Sequence, residues 1–206
     1  MSQALLTPVI FVVDDDPSIR AGLDSLLRSV GMRVHTFATA NELLEHSFEN
    51  VPSCLILDVR LPGESGLAFQ TRLFEMDISM PIIFVSGYGD IAMSVKAMKA
   101  GAIDFLVKPF REQDLLDIVA LALQKDTKRR EDGEASSNLR ALYHSLTNRE
   151  REVMAYAVTG LTNKQIATEL CLSEITVKIH RGHAMKKMRA KTFADLVKMS
   201  QILTFD

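Results

Sequence analysis

The sequence FVVDDD at residues 11–16 is the first of four short apolar runs that each end on a reactive polar residue. The other three runs are CLILD (54–58), IIFVS (82–86) and FLVKP (105–109). Strands of a parallel sheet all point the same way, so residues at their carboxyl ends gather in one crevice, where open α/β sheets hold their ligands. We therefore expect carboxylates, a hydroxyl and an ammonium group to converge there and form a site for phosphoryl transfer.

The residues around these runs alternate between short β-rich segments and amphipathic helical segments. Five such βα units predict an α/β fold with a five-stranded, doubly wound parallel sheet. The predicted strands are 9–13, 33–37, 54–57, 81–85 and 104–107, and the predicted helices are 17–30, 40–48, 65–75, 90–100 and 111–124.

Charge is distributed unevenly along the 206 residues, although the formal net charge is only −2. Residues 1–124 carry 9 Lys and Arg against 16 Asp and Glu, whereas residues 141–206 carry 10 against 6. This asymmetry indicates that only the second part binds a polyanion. No apolar run approaches the length needed to cross a bilayer. The sequence therefore predicts a cytoplasmic protein with no membrane partner.

The stretch KDTKRREDGEASSN at 125–138 is almost devoid of apolar side chains and predicts an interdomain linker. We expect a first domain at 1–124, a linker at 125–140 in which the preceding helix can continue to about Arg130, and a second domain at 141–206. The second domain has four helix-start signals and predicts a smaller all-α fold. These signals are Thr147 with Glu150, Thr162 with Gln165, Ser173, and Thr192 with Asp195.

Three carboxylates are expected in the crevice, from Asp14, Asp15 and Asp58. Such like charges cannot all stay ionised unless a cation neutralises them. Oxygen ligands favour Mg²⁺, or another hard divalent cation such as Mn²⁺. Lys108 can pair with a carboxylate and with phosphate oxygens, and Ser86 supplies a hydroxyl donor.

The motifs VVDDDPSIR, LDVRLPGESG, VSG and VKPF occur in this order at the predicted strand ends. In this respect residues 8–124 resemble the receiver domain of two-component response regulators, which has a flavodoxin-like fold. The resemblance implies that Asp58 is the phosphoacceptor and that Asp14, Asp15, Asp58 and the backbone carbonyl of Arg60 form the metal site. It further implies that Ser86 and Lys108 contact the phosphoryl oxygens and that Phe105 is a switch residue.

An enzyme is the alternative from another functional class. Asp14 and Asp16 form an Asp-x-Asp pair after an apolar strand, as in the haloacid-dehalogenase phosphatases, whose nucleophile would correspond to Asp14. That interpretation leaves Asp58 and its LPGESG loop unexplained, and it assigns no purpose to the basic second domain.

The second domain contains a helix at about 163–170, a short turn at 171–173 and a helix at about 174–188, which together predict a helix-turn-helix. On the second of these helices, Ile175, Ile179 and Met185 or Met188 are expected to face the core. The motifs LTNRE, NKQIA and TVKIHR resemble the LuxR-type effector domain of FixJ- and NarL-type regulators. The resemblance implies DNA contacts by Asn163, Lys164, Thr176, Lys178, Ile179, Arg181 and Gly182. We also expect a phosphate contact from Lys186, for which the alternative is a solvated basic face shared with Lys187, Arg189 and Lys191.

The combined resemblance implies a non-enzymatic response regulator of the FixJ/NarL type. We expect a sensor histidine kinase, promoter DNA and RNA polymerase as partners, and a homodimer that forms on phosphorylation. A transcription factor that works without phosphorylation is the nearest alternative.

Overall fold

The computed structural model describes residues 7–87 and 91–203. The chain divides into two compact units between Arg130 and Glu131. In the first unit, the strands are β1 (Val9–Val13), β2 (Arg33–Phe37), β3 (Ser53–Asp58), β4 (Ile82–Ser86) and β5 (Asp104–Val107). The helices between them are α1 (Pro17–Ser29), α2 (Ala40–Leu44), α3 (Gly66–Glu75) and α4 (Ile91–Lys99).

The five strands form one sheet in the order β2-β1-β3-β4-β5, and all neighbouring strands are parallel. The central strands β1, β3 and β4 are buried along their whole length, as expected for a parallel sheet covered on both faces. One apolar cluster is built around Phe69 and Phe84, and a second is built around Ile10 and Leu115. The predicted fold class is therefore confirmed.

The helix that follows β5 is much longer than predicted. α5 is a single helix of 33 residues, Glu112–His144. The predicted end at 124 is therefore wrong, and the continuation that the sequence allows to about Arg130 extends to His144. The polar composition of 125–138 predicts a linker, but a polar segment can form a solvated helix, and one glycine such as Gly133 costs a helix only about 1 kcal/mol. The boundary between the two units falls inside this helix. The domain limits 1–124, 125–140 and 141–206 stay a prediction.

A buried acidic group anchors this helix within the first unit. Asp126 is fully buried, and its carboxylate accepts hydrogen bonds from the Ser53 backbone amide at 2.9 Å and from Arg130 Nε at 2.6 Å. Arg130 also donates to the side chain of Asn50 at 2.6 Å. The helix therefore continues beyond 124 because polar side chains attach it to the start of β3.

The second unit contains α6 (Asn148–Val158), α7 (Asn163–Leu170), α8 (Glu174–Lys187) and α9 (Phe193–Leu203), together with the end of α5. α6 and α7 each begin with a capping box, Thr147 with Glu150 and Thr162 with Gln165. These are the start signals that the sequence predicts. α2, by contrast, ends at Leu44, four residues before its predicted end.

Candidate functional site

The carboxyl ends of four strands bring the predicted pocket residues to one edge of the sheet. Asp14 directly follows β1, Asp58 and Ser86 are the last residues of β3 and β4, and Lys108 directly follows β5. β3 lies between β1 and β4, so these side chains come from adjacent strands. The sequence prediction that they converge is confirmed for Asp14, Asp58 and Lys108, because Lys108 contacts both carboxylates.

Asp14 is only 2% exposed, and both of its carboxylate oxygens have partners. Oδ1 accepts a hydrogen bond from the Asp16 backbone amide at 2.9 Å, and Oδ2 lies 2.5 Å from Lys108 Nζ. A buried carboxylate held in this way is an anchor for the lysine and is poorly placed to act as a nucleophile.

Asp58 is held more loosely. It is 8% exposed, its Oδ1 accepts a long bond of 3.2 Å from the Arg60 backbone amide, and its Oδ2 lies 3.4 Å from Lys108 Nζ. Burial is the largest influence on this carboxyl and raises its pKa. The Arg60 amide and the Lys108 charge oppose that rise, while the charge of Asp14 adds to it.

Lys108 stays charged between these two carboxylates. Burial alone would lower the pKa of its ammonium group, but the hydrogen bond and the charge of Asp14, with a smaller contribution from Asp58, outweigh burial and raise it. One ammonium group therefore faces two buried carboxylates, and a third carboxylate lies close by.

The third carboxylate belongs to Asp15, which is exposed to solvent. Ligand oxygens of Asp14, Asp15 and Asp58 all lie within 4.8 Å of one another. Lys108 neutralises only part of this charge, and oxygen-only donors that open to solvent suit a hard divalent cation that keeps some of its water. The residues present therefore fit the predicted metal.

The loop after Asp58 turns back sharply because Gly66 fits against the end of β3. A Cβ atom at Gly66 would lie 2.4 Å from the carbonyl oxygen of Asp58, so this contact accepts no side chain. The Gly66 amide donates to the Val59 carbonyl at 2.8 Å, and Ser65 caps the start of α3. These contacts set the position of the backbone that carries Asp58.

The remaining pocket residues are placed as follows. Ser86 is 1% exposed, and its backbone carbonyl accepts a bond from the Lys108 amide at 2.7 Å. Phe105 lies in β5 and is half-buried against the core. Arg60 is exposed, and its backbone reaches the pocket through the amide that donates to Asp58 Oδ1 at 3.2 Å.

In the second unit, α7 and α8 form the predicted helix-turn-helix. Cys171 ends α7 in a left-handed conformation with φ of 53°, and Ser173 caps α8 by accepting from the Thr176 amide at 3.1 Å. The three residues 171–173 therefore reverse the chain between the helices.

The core face of α8 differs from the prediction. Val177, Ala184 and Met188 are buried, whereas Ile175 is 73% exposed and Ile179 is 51% exposed. The expectation that these isoleucines face the core is wrong for both. Their apolar side chains alone predict burial. The 3.6-residue period of the helix, however, places Ile175 and Ile179 opposite the buried Val177.

The eight residues predicted to contact DNA fall into two groups. The exposed group comprises Lys164, Lys178, Ile179, Gly182 and Lys186, and the half-buried group comprises Asn163, Thr176 and Arg181.

Arg181 makes contacts inside its own domain. Its guanidinium lies 4.2 Å from the centre of the Phe193 ring, and Nη1 donates to Asn163 Oδ1 at 3.1 Å. Arg181 thus connects α8 to α7 and α9. The hydroxyl groups of Thr176 and Ser173 lie 2.8 Å apart, within the cap of α8.

Both units match known families. The response regulator receiver domain family matches residues 10–120, and the luxR family of bacterial regulatory proteins matches residues 144–200. The chain belongs to the response regulators.

Relatives along nearly the whole length support this assignment. The response regulator is 54% identical to Nodulation protein W of Bradyrhizobium diazoefficiens over 98% of this chain and 89% of the relative. It is 48% identical to the response regulator protein TmoT of Ectopseudomonas mendocina, over 95% of this chain and 89% of the relative.

Solved structures agree with these relatives. The structure of the response regulator StyR matches with a TM-score of 0.85 at 47% identity, and it covers 95% of this chain and 99% of that one. Full-length FixJ from B. japonicum matches with a TM-score of 0.56 at 34% identity, over 96% and 98% of the two chains.

The response regulator therefore has a receiver domain and a LuxR-type DNA-binding domain, which imply a histidine kinase and DNA as its partners. The phosphatase alternative is wrong, because neither matching family is an enzyme family. The structure adds a reason, since that alternative needs Asp16 as the second residue of the Asp-x-Asp pair. The Asp16 carboxylate instead caps α1 by accepting from the Ser18 amide at 2.8 Å. Among residues 7–87 and 91–203, none of the helices is both long and apolar enough to span a bilayer.

Sequence reasoning missed two buried acidic residues of the response regulator. Asp126 was treated as part of a linker, although arginines three and four residues later were a signal for ion pairs within a helix. Glu150 was recognised only as a capping residue. In the structure it also accepts from Lys187 Nζ at 2.6 Å, so this lysine is not part of a freely solvated basic face.

Proposed function

We propose that Asp58 accepts a phosphoryl group from a sensor histidine kinase and that this modification controls DNA binding by the second domain. The observation that carries the proposal is the difference between the two buried carboxylates. Asp14 is 2% exposed and bound at 2.9 and 2.5 Å on its two oxygens, whereas the hydrogen bonds of Asp58 to the described residues are longer, at 3.2 and 3.4 Å, and Asp58 is 8% exposed. Asp58 is thus the carboxylate whose longer bonds are the easier to exchange for a phosphoryl group.

In the transfer, the phosphorus–nitrogen bond of the kinase's phosphohistidine breaks as a phosphorus–oxygen bond to Asp58 forms. Asp14, Asp15, Asp58 and the backbone carbonyl of Arg60 would hold Mg²⁺ or Mn²⁺, which supplies positive charge to the phosphoryl oxygens. Lys108 can transfer its looser contact from Asp58 to those oxygens while it keeps its bond to Asp14, and Ser86 provides a hydroxyl at the neighbouring strand end.

The response to phosphate would pass along β4 and β5. A phosphoryl group that draws Ser86 and Lys108 together pulls on both strand ends, because the Lys108 amide is already bonded to the Ser86 carbonyl. Phe105, half-buried three residues before Lys108, is the side chain that we assign to the switch.

A nearby surface supports dimer formation on phosphorylation. Four apolar side chains on α4 and β5 are exposed, namely Ile91, Val95, Met98 and Val107. A patch of this kind on a soluble domain indicates an interaction site. A symmetric dimer would present two helix-turn-helix units to half-sites in promoter DNA, about one helical turn apart or a multiple of it.

The exposed residues Lys164, Lys178, Ile179, Gly182 and Lys186 would contact DNA directly. Arg181, Asn163 and Thr176 would act from the edge of this surface. We further propose that the protein works in the cytoplasm with RNA polymerase as a partner, as expected for a promoter-bound regulator.

The test is incubation of the full chain with acetyl phosphate and Mg²⁺, followed by intact-mass spectrometry and sizing chromatography. The wild type should gain one phosphoryl group and shift from monomer to dimer, and Asp58→Asn should do neither. Asp16→Asn is the matched control, because asparagine also caps a helix and Asp16 lies outside the metal site. It should behave as the wild type does.

Two results would contradict the proposal. An adduct retained in Asp58→Asn would assign the nucleophile to another carboxylate. The absence of an adduct in every protein, together with unchanged DNA binding, would favour the regulator that works without phosphorylation.

A further inference from the structure

Five aromatic rings cluster where β1 and β2 lie beside the end of α2. They belong to Phe11, His35, Phe37, His46 and Phe48, and the centres of contacting rings lie 4.7–6.4 Å apart. Phe11 contacts the other four rings and is only 3% exposed, whereas His35 and His46 are half-buried. Phenyl rings would cover Phe11 equally well, so packing does not explain why two of these rings are imidazoles.

The two imidazoles form the closest ring pair among residues 7–87 and 91–203, with centres 4.7 Å apart. His35 lies in the middle of β2, in register with Phe11 of β1. The backbone amide of His46 donates to the Leu43 carbonyl at 3.1 Å, directly after α2. Two different elements of the fold therefore hold the rings side by side.

The ring nitrogens are available to a ligand. Neither imidazole has a hydrogen-bond partner within the described part of the chain, although a neutral ring carries one donor and one acceptor. Burial, reinforced by the charges of His46 and Arg33, lowers the pKa of His35, and the charge of Glu49 opposes this change only in part. His35 is therefore mostly neutral at pH 7, which is the form of imidazole that binds metals.

The spacing of the rings matches two ligands of one ion. Metal–nitrogen bonds of about 2.0–2.1 Å place two imidazole centres roughly 4.5–5.2 Å apart when the angle at the metal is between about 90° and 109°. The observed 4.7 Å lies inside this range. The ring planes are inclined at 44°, and imidazoles rotate readily about their outer side-chain bond, so one nitrogen of each ring can face a common ion.

We infer that His35 and His46 together bind one divalent transition-metal ion such as Zn²⁺, with water completing its coordination. Imidazole nitrogen suits Zn²⁺, Ni²⁺ and Cu²⁺, whereas the carboxylates of the phosphorylation crevice suit Mg²⁺. The Glu49 carboxylate favours a cation here, because it interacts electrostatically with both histidines, and Arg33 is already paired with Glu49 at 3.0 Å. The ion would join β2, an edge strand, to the segment after α2. This site uses other residues than the crevice and does not depend on the proposed function.

The experiment is a calorimetric titration of the full chain with Zn²⁺ in excess Mg²⁺, which occupies the acidic crevice. The wild type should bind one Zn²⁺ ion at the histidine pair. In NMR spectra of the same protein, the ring-proton signals of His35 and His46 should shift, and those of His144, His180 and His183 should not. The NMR comparison locates the ion in the wild type and needs no variant.

The variants test whether the two rings act as one site. His35→Gln and His46→Gln should each weaken Zn²⁺ binding by at least about tenfold, the loss that removal of a group merely supporting a ligand already causes. The double variant should bind little more weakly than either single variant, since the ligands of one ion are coupled. His144→Gln is the matched control, because His144 is exposed and lies at the end of α5. It should bind Zn²⁺ as the wild type does.

The inference is overturned if the His35 and His46 signals stay unchanged at saturating Zn²⁺, or if either single variant binds as tightly as the wild type. Losses that add up in the double variant would also overturn it, because they would indicate two independent ligands. None of these results bears on Asp58, whose phosphorylation is tested separately by acetyl phosphate labelling.

Discussion

Replacement of Asp126 by alanine should loosen the receiver domain at the start of β3. The carboxylate is fully buried and accepts four hydrogen bonds, one from the Ser53 amide, two from Arg129 and one from Arg130. Ser53 is itself only 3% exposed, so its amide would have no replacement partner from bulk water.

The magnitude follows from these contacts. An unsatisfied buried amide costs about 1–3 kcal/mol, and removal of one partner from a buried ion pair costs about 3–5 kcal/mol in total. Arg130 keeps its bond to Asn50, and the side chain of Arg129 is 44% exposed and can bind water instead, which favours the lower half of that range. We expect a loss of about 3–4 kcal/mol for Asp126→Ala.

Cys54 reports this change because it follows Ser53 directly and is fully buried. Burial, reinforced by the charge of Asp126, raises the pKa of its thiol, so the folded protein should react only at the exposed Cys171. Alkylation of Cys54, located by peptide mass spectrometry, should accelerate in Asp126→Ala by a factor of roughly 200 to 1,000, as 3–4 kcal/mol requires.

The matched control is Asp24→Ala, which breaks an Asp–Arg pair with the same i, i+4 spacing in α1 but on the surface. An exposed pair of this type contributes about 0.3–0.5 kcal/mol, so Cys54 should react at most about twice as fast. Equal alkylation rates in the two variants would refute the role assigned to the buried carboxylate.

Three further predictions concern the pocket and the DNA-binding domain. Gly182→Ala should stabilise its domain by about 1 kcal/mol, measured by hydrogen exchange. It should nevertheless weaken operator binding, because the added methyl group lies where DNA would approach the helix closely. A stabilised variant with unchanged affinity would exclude that close approach. Gly66→Ala should slow acetyl phosphate labelling of Asp58, because the added Cβ displaces the Asp58 backbone, whereas Gly22→Ala, on an open face of α1, should label at the wild-type rate. Burial opposes the ionisation of Glu150, but bonds from Lys187 and Thr147 outweigh it and lower the pKa. The ionised form of Glu150 therefore contributes its full stability above the unfolded pKa of about 4.3. In thermal unfolding, the advantage of the wild type over Glu150→Gln should disappear as the pH falls through the lower folded pKa. A constant difference from pH 7 to pH 3 would contradict this assignment.

The strand ends and helix starts could be predicted because their determinants are local. Runs such as CLILD are apolar on both faces, as central parallel strands require, and Thr147 with Glu150 or Thr162 with Gln165 satisfy backbone groups only a few residues away. The convergence of Asp14, Asp58 and Lys108 also followed from sequence, because parallel strands force their carboxyl ends to one edge.

The tertiary structure decided what depends on distant partners. Asp126 is 73 residues from Ser53 in the sequence, and no local pattern predicts that its carboxylate is buried against the start of β3. Sequence alone determined that carboxylates and a lysine meet in one crevice. Only the packed structure decided that Lys108 binds Asp14 closely and Asp58 loosely, and that Ile175 projects into solvent, because burial and distance depend on how whole elements pack and not on the type of a single residue.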